Sequence, residues 1–218
     1  MMKKIIYISI ILPFVFSCNS NEKISKDIFE EVNKSMEVKK LSEVEILDEA
    51  MAWGEEISSE AQNQLISALQ KAIEEKGISE AVEYCNIEAI PMVQELSTKH
   101  KVTIKRASFA YRNPTDKPSE DEAAILDAYA YNAENDIKNE PNIQKLENGE
   151  ILLYTKAIQI PNSFCLNCHG KEGIDISEET LGKIDRLYPD DKAKGHKIGD
   201  LRGMWSIKIP KSEVIKRL

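Results

Sequence analysis

Apolar residues along residues 44–73 recur at helical spacing, as on one buried face of a helix. The positions that follow this spacing are Val44, Leu47, Met51, Ala61, Leu65, Ala68, Leu69, Ala72 and Ile73. Ser42, with Glu45 three residues later, forms a capping box, and Gly77 is a typical end signal. The pattern predicts a long N-terminal helix.

A second helix is predicted from Ser79 to about Lys99. Its inward face would carry Ile78, Ala81, Val82, Cys85 and Ala89. Cys85 therefore points into the core. Pro91 is expected to break or restart this helix, because proline removes a backbone donor and clashes with the preceding turn.

Past His100 the apolar positions alternate, which predicts a strand over residues 102–109. Val102, Ile104, Arg106 and Ser108 share one face. An arginine on a face that begins apolar either lies at the sheet edge or meets a buried anion. Ser119 and Glu122 then cap a helix that ends before Pro141.

The clearest strand covers residues 151–160, after a turn at Asn148-Gly149. A short helix over residues 177–187, a glycine-rich loop over 188–203 and a last strand ended by Pro210 complete the chain. This order predicts a single α+β domain: a small antiparallel sheet, a long N-terminal helix and flanking helices.

The N-terminal segment predicts export. Lys3 and Lys4 precede an apolar run over residues 5–16, and Ser17-Cys18 follows. We interpret residues 1–17 as a lipoprotein signal peptide, Cys18 as the acylated N-terminus, residues 18–40 as a tether and residues 41–218 as the domain. An ordinary signal peptide with an incidental cysteine is the alternative. Either way the chain is exported, and the lipoprotein interpretation predicts a membrane lipoprotein that faces the periplasm.

The formal net charge is −8, and loss of Lys3 and Lys4 with the signal peptide makes the mature chain more acidic. This charge argues against nucleic acid or anionic lipid as a partner. Any membrane attachment is therefore expected to come from the lipid alone.

Cys165-Leu166-Asn167-Cys168-His169 is a Cys-x-x-Cys-His run, the attachment site of a c-type haem. Each thiol can add to one haem vinyl group, and the histidine is then held beneath the iron as an axial ligand. A structural zinc site needs a second Cys/His pair, but Cys18, Cys85, His100 and His196 stand apart. A thioredoxin-type pair needs a βαβ context, which is absent. The motif predicts one covalent haem c.

Three blocks of sequence, one of them this motif, stand in a fixed order. They are Arg106-Ala107-Ser108 with Tyr111-Arg112-Asn113-Pro114 and Glu122; Cys165 to Gly170; and Tyr188-Pro189, Asp191, Ala193, Gly195, Gly199-Asp200 and Arg202-Gly203. With the preceding helices they span about residues 40–210. The chain thus resembles a family of exported c-type haem proteins with a PAS-like sensor fold, first described in a cyanobacterial protein.

The resemblance implies a haem held by histidine on one side, His169, and by cysteine on the other. Cys85, directly before Asn86, matches the position of that second ligand. From the sequence alone a single helical cysteine is more often an inert core residue. Met92, Met204 and His196 are competing sixth ligands.

Arg106, Arg112 and Arg202 are candidates for pairing with the haem propionates, since a guanidinium fork suits a carboxylate. The alternative for each is an ordinary surface salt bridge. Asn113-Pro114 and Asp200 are adequately explained as residues that shape loops.

The leading functional hypothesis is a redox or diatomic-gas sensing module that acts through a separate partner. A thiolate ligand stabilises ferric iron, and its dissociation would open a site for a small gas. A single-haem electron-transfer protein, with methionine or histidine as sixth ligand, is the alternative. An enzyme with His196 or His100 as acid/base is a third possibility that no spacing supports.

Overall fold

The computed structural model describes residues 26–27 and 40–218, and residues 41–218 form one compact unit. The predicted signal peptide, Cys18 and nearly all of the tether lie outside the described residues. No helix in the described part of the chain is both long enough and apolar enough to cross a membrane. The elements are α1 (Glu43–Lys76), α2 (Ile78–His100), β1 (Thr103–Ala107), α3 (Glu120–Glu134), β2 (Asn142–Leu146), β3 (Ile151–Gln159), α4 (Ser163–His169), α5 (Glu178–Leu187), β4 (Leu201–Pro210) and α6 (Lys211–Ile215).

The four strands form one antiparallel sheet in the order β1-β4-β3-β2. The central strand β4 pairs Ile207 with Ile104 on one side and with Tyr154 on the other. The PAS-like α+β fold with a small antiparallel sheet and a long N-terminal helix is thereby confirmed. The sequence reading missed the edge strand β2, in which only Ile143 and Leu146 are apolar and neither is fully buried.

Helix α1 packs one face on the sheet. Ile46, Ala50, Trp53, Ile57 and Ala61 are at most 6% exposed. The predicted capping box at Ser42 is confirmed. Val44 is 66% exposed, however, so the buried stripe begins at Ile46 and the predicted register was wrong at its start.

Pro91 lies inside one continuous helix, so the expected break is wrong. The missing donor of residue 91 leaves the carbonyl of Ile87 without its helical partner. Ile87 is 57% exposed, and water can therefore satisfy that carbonyl. This keeps Cys85 on a helix that runs unbroken to His100.

The last strand begins earlier than its apolar pattern indicated, because residues 201–204 already pair with the end of β3. Gly203 also permits the close approach of β1, since a Cβ atom there would lie 2.6 Å from the carbonyl oxygen of Ala107 at the end of that strand. The Cys-x-x-Cys-His run forms the short helix α4 directly after β3. The ends of β1 and β3 and the start of β4 thus meet beside α4.

Candidate functional site

A cavity of about 510 Å³ lies where these strand ends meet α1, α2 and α4. Its volume falls in the range of sites that bind cofactors. All seven site residues expected from the sequence line it: Cys85, Arg106, Arg112, Cys165, Cys168, His169 and Arg202. The fold therefore gathers residues from five separate segments into one site, while their individual roles stay predictions.

Helix α4 presents the two motif thiols to this cavity. Asn162 caps the helix by accepting a hydrogen bond from the backbone N–H of Phe164 (3.1 Å). Burial raises the pKa of Cys165, and it raises the pKa of Cys168 to about 11, so both are protonated thiols at neutral pH. Gly170 ends the helix in a tight turn, where a Cβ atom would lie 2.5 Å from Cβ of Asp175.

His169 is oriented by a single hydrogen bond. Its Nδ1 lies 2.8 Å from the carbonyl oxygen of Ala193, so Nδ1–H is the donor. Burial, with the nearby charges of Arg202 and Arg112, holds the pKa of His169 well below its usual range. The ring is therefore neutral, and Nε2 keeps the lone pair that a metal ligand needs.

Arg112 binds the motif helix through a hydrogen bond to its backbone. Its Nε and Nη2 donate to the two carboxylate oxygens of Asp191 (3.1 and 3.2 Å), and Nη2 also donates to the carbonyl of Cys168 (2.6 Å). The side chain is 13% exposed, so this is not an ordinary surface salt bridge. The contacts fix α4 relative to residues 191–193, including the Ala193 carbonyl that orients His169.

Arg202 is buried with part of its guanidinium unsatisfied. Nη1 donates to Ser108 Oγ (3.3 Å) and to the carbonyl of Ala110 (3.0 Å), while Nε has no partner among the described residues. Burial, then repulsion by Arg106 and Arg112, lowers the pKa of Arg202 to about 10. A buried cation with an open donor is the environment that an anionic group would relieve.

Arg106 also lines the cavity, with Nη2 3.8 Å from the carboxylate of Asp116. Burial raises the pKa of Asp116, although Arg106 and Arg202 act in the opposite direction. Asp116 and Asp191 are the two carboxylates that offset the three guanidinium groups. The excess of positive charge favours binding of a carboxylate-bearing ligand.

Cys85 is half-buried and lines the cavity from α2. Burial raises the pKa of its thiol, and Arg106 and Arg112 partly oppose that rise. Among the competing ligands, Met204 also lines the cavity and is fully buried, whereas Met92 does not line it. His196 lies beside His169, with ring centroids 6.3 Å apart.

His100 and the predicted loop residues have structural roles. His100 Nε2 lies 2.8 Å from a carboxylate oxygen of Glu60, away from the cavity. Asn113 accepts a hydrogen bond from the backbone of Thr115, and Asp200 accepts one from the backbone of Lys197. These are the contacts of residues that shape loops.

The donor set fits a covalently held haem. The cavity offers two thiols on one short helix, a neutral imidazole directly after them, a third thiol on α2 and three guanidinium groups in its wall. These groups match the vinyl, iron and propionate parts of the macrocycle. Within the described residues no group of three or more His, Cys, Asp or Glu side chains could hold a metal ion by itself.

The sequence reading gave no role to Asp191, Ala193 or Tyr188. Asp191 organises the site, since it holds Arg112 and accepts from the backbone N–H of Ala193 (2.9 Å). The Tyr188 ring lies 5.9 Å from the Arg112 guanidinium carbon. No local pattern marks these residues, and their only signal was their place in the blocks of the resemblance.

The sequence model of the Tll0287-like family, described as Tll0287, matches residues 23–210. Among solved structures, the crystal structure of the cyanobacterial heme-protein Tll0287 is similar, with a TM-score of 0.51 and 24% sequence identity. The match covers 70% of this chain and 92% of that chain. No curated protein matches the chain.

Proposed function

The chain belongs to the Tll0287-like family, and from this premise we propose that it binds one haem c in the cavity beside α4. Cys165 and Cys168 would hold the macrocycle covalently, and His169 would be one axial ligand. The observation that carries the proposal is the complete Cys-x-x-Cys-His run on the cavity wall. The haem protein Tll0287 among similar structures supports it.

Three features of this chain favour such a cofactor. The Ala193 carbonyl orients His169 so that Nε2 is free for iron. Arg112 holds the motif helix through the Cys168 carbonyl. The unsatisfied Nε of Arg202 supplies a donor for a propionate.

Cys85 is proposed as the second axial ligand. It lines the same cavity from α2, and a bound cation would stabilise its thiolate against the effect of burial. A thiolate ligand favours the ferric state. We propose on this basis a redox or diatomic-gas sensing module, anchored by lipid at Cys18 on a membrane that faces the periplasm.

A matched pair of variants tests the sixth ligand, because two sulfur side chains outside the motif, Cys85 and Met204, line the cavity within the described part of the chain. Cys85→Ala and Met204→Leu are expressed in a host that matures c-type haem, and covalent attachment is checked by intact mass. Ferric and ferrous absorption and electron paramagnetic resonance spectra are then recorded. Cys85→Ala is expected to change the ferric spectrum, and Met204→Leu to leave it unchanged.

The reverse result would favour electron transfer as the second candidate function. Met204 is fully buried at the cavity wall, and histidine/methionine ligation raises the reduction potential. A ferric spectrum that survives Cys85→Ala, together with a high potential that falls in Met204→Leu, would replace the sensor proposal. Mature protein with only the bare polypeptide mass would contradict haem attachment itself.

A further inference from the structure

A second cavity, of about 540 Å³, is lined in part by His196, whose ring packs edge-on to the ring of His169. It is formed by α3, by Asp136 shortly after that helix, by the segment after β1 and by the segment that leads into β4. Phe109, Ala133, Glu134, Asp136, His196 and Ile198 are among its lining residues. None of the seven site residues discussed above lines it, so it is a separate feature of the fold.

The lining of this second cavity combines apolar and acidic groups. Phe109 is 47% exposed and Ile198 is 58% exposed. Glu134, Asp136 and Asp200 contribute carboxylates, and among the described residues that line it there is no lysine or arginine. An apolar centre with a charged rim is the usual anatomy of a transient protein interface.

The same combination suits one kind of side chain. A lysine or arginine has an apolar stem, which can lie against Phe109 and Ile198, and a cationic head, which can reach the carboxylates. The formal net charge of −8 adds a long-range attraction for basic partners. The cavity is therefore shaped and charged for an anchoring side chain of a basic protein.

His196 connects this surface to the predicted axial histidine. Its ring lies edge-on to His169 with centroids 6.3 Å apart, and its backbone N–H donates to the carbonyl of His169 (2.9 Å). The His196 side chain is 10% exposed, and its Nε2 has no partner among the described residues. One side chain thus separates the second cavity from His169.

We propose that this second cavity is the docking point for a basic redox protein, one lysine or arginine of which enters it. The inference deepens the proposed function and rests on it, because the electron would leave or reach the haem held at His169. In the step tested below one electron passes from ferrous haem to a ferric partner haem. The first iron is oxidised, the second is reduced, and no proton moves.

A basic mitochondrial-type cytochrome c serves as the probe. Its dissociation constant from the ferric haem-loaded protein is measured by calorimetry at low ionic strength, where no electron moves. The second-order rate at which ferric probe oxidises the ferrous protein is measured by stopped flow. Ferricyanide, an anion, is the matched oxidant of opposite charge.

The test variant carries Glu134→Lys and Asp136→Lys. The control carries the same charge change as Glu147→Lys and Glu150→Lys, in the turn at the far end of β3 from the motif. We expect the test pair to weaken binding of the cytochrome and to slow its reaction with the ferrous protein, each about 10-fold. Both effects should become smaller as salt is added. Oxidation of the same variant by ferricyanide should be faster than that of the natural chain. The control pair is expected to change either readout less than about 2-fold.

A second variant, Ala133→Trp, fills the cavity without changing its charge. It should also weaken binding of the cytochrome, while the rate of oxidation by ferricyanide stays unchanged. Equal effects of the test and control pairs, or unchanged binding in both the charge and the filling variants, would overturn the docking site. Haem loading is verified separately by mass and absorbance. Loss of docking with haem present therefore leaves the proposed function standing, whereas absence of haem overturns both.

Discussion

Two buried charge clusters lie on neighbouring parts of the same sheet. They differ in how completely their charged groups are paired and hydrogen-bonded within the chain. Strand β1 contributes to both, because Lys105 and Arg106 are adjacent and project to opposite faces. One cluster is centred on Glu122 and the other on Arg202. Both are largely withdrawn from solvent.

The Glu122 cluster is closed. Its carboxylate accepts from Lys105 Nζ (2.8 Å), from Ser206 Oγ (2.7 Å) and from the backbone N–H of Ser119 (2.8 Å). These bonds lower the pKa of Glu122 against the opposing effect of burial. Every strong partner comes from the chain itself, which is typical of a structural network.

The Arg202 cluster is open. Three guanidinium groups face two carboxylates, one guanidinium nitrogen has no partner in the described structure, and the pKa of Arg202 is depressed. A fold that can close one buried cluster but leaves the adjacent one open has left room for a ligand. The difference therefore separates a residue that stabilises the fold from residues whose charge and open donor suit an anionic group.

Breaking the closed cluster should give the largest effect on stability. Glu122→Ala removes the partner of Lys105 and Ser206 at a site where Glu122 is only 2% exposed. We expect a loss of about 3 kcal/mol in the free energy of unfolding, because buried donors are left unpaired. Equilibrium denaturation by urea measures it.

Asp121→Asn is the matched control, since Asp121 is the neighbouring residue and makes only an exposed ion pair with Lys208 at 3.8 Å. Its expected cost is below about 1 kcal/mol. Similar losses in the two variants would show that the Glu122 cluster contributes no more than a surface pair.

Local sequence determined much of the fold, including the elements that carry the site. The capping boxes at Ser42 and Ser119 and the long strand β3 were predicted because each depends on residues a few positions apart. The motif of α4 could be recognised for the same reason, since its three chemically distinctive residues lie within five consecutive positions. Edge strand β2 carried too few apolar residues to be seen.

The arrangement around the motif could not be predicted from local patterns. Arg112 and Asp191 lie 79 residues apart, and nothing near either residue indicates the other. The sequence suggested Arg112 for a propionate, while its Nε and Nη2 already bind Asp191 and the Cys168 carbonyl. Which arginine keeps an open donor is decided by tertiary packing alone.

Arg202→Gln tests the open cluster. In the haem-free chain it removes two hydrogen bonds but also a disfavoured buried cation, so the free energy of unfolding should change by less than about 1 kcal/mol. In the haem-loaded chain it also removes a donor for a propionate, and the stabilisation gained from loading should fall by about 2 kcal/mol. Urea denaturation of both forms measures the difference.

Arg186→Gln, at an exposed position of α5, controls for loss of charge and should leave both forms unchanged within about 0.5 kcal/mol. An equal effect of Arg202→Gln on the loaded and unloaded chains would mean that no anion is held there. The cluster would then be strained for another reason.

The smallest expected effect is on the pH dependence of stability, and its sign differs between the two clusters. The pKa of Glu122 is lowered from 4.5 by Lys105, Ser119 and Ser206, so its contribution is present above that value and is lost as the pH falls through the lowered pKa. The pKa of Asp116, in the open cluster, is raised from 3.8 by burial. Its ionised form is therefore disfavoured in the folded haem-free chain, and that penalty disappears as the pH falls.

The effects of Glu122→Gln and Asp116→Asn on stability should consequently differ most at pH 7 and least near pH 3. At neutral pH the first is expected to destabilise the haem-free chain and the second to stabilise it. Both differences from the natural chain should shrink toward pH 3, measured by urea midpoints at each pH. A destabilising Asp116→Asn at pH 7 would mean that Arg106 and Arg202 favour the ionised Asp116 more than burial disfavours it, and the open cluster would then be closer to neutral than its contacts indicate.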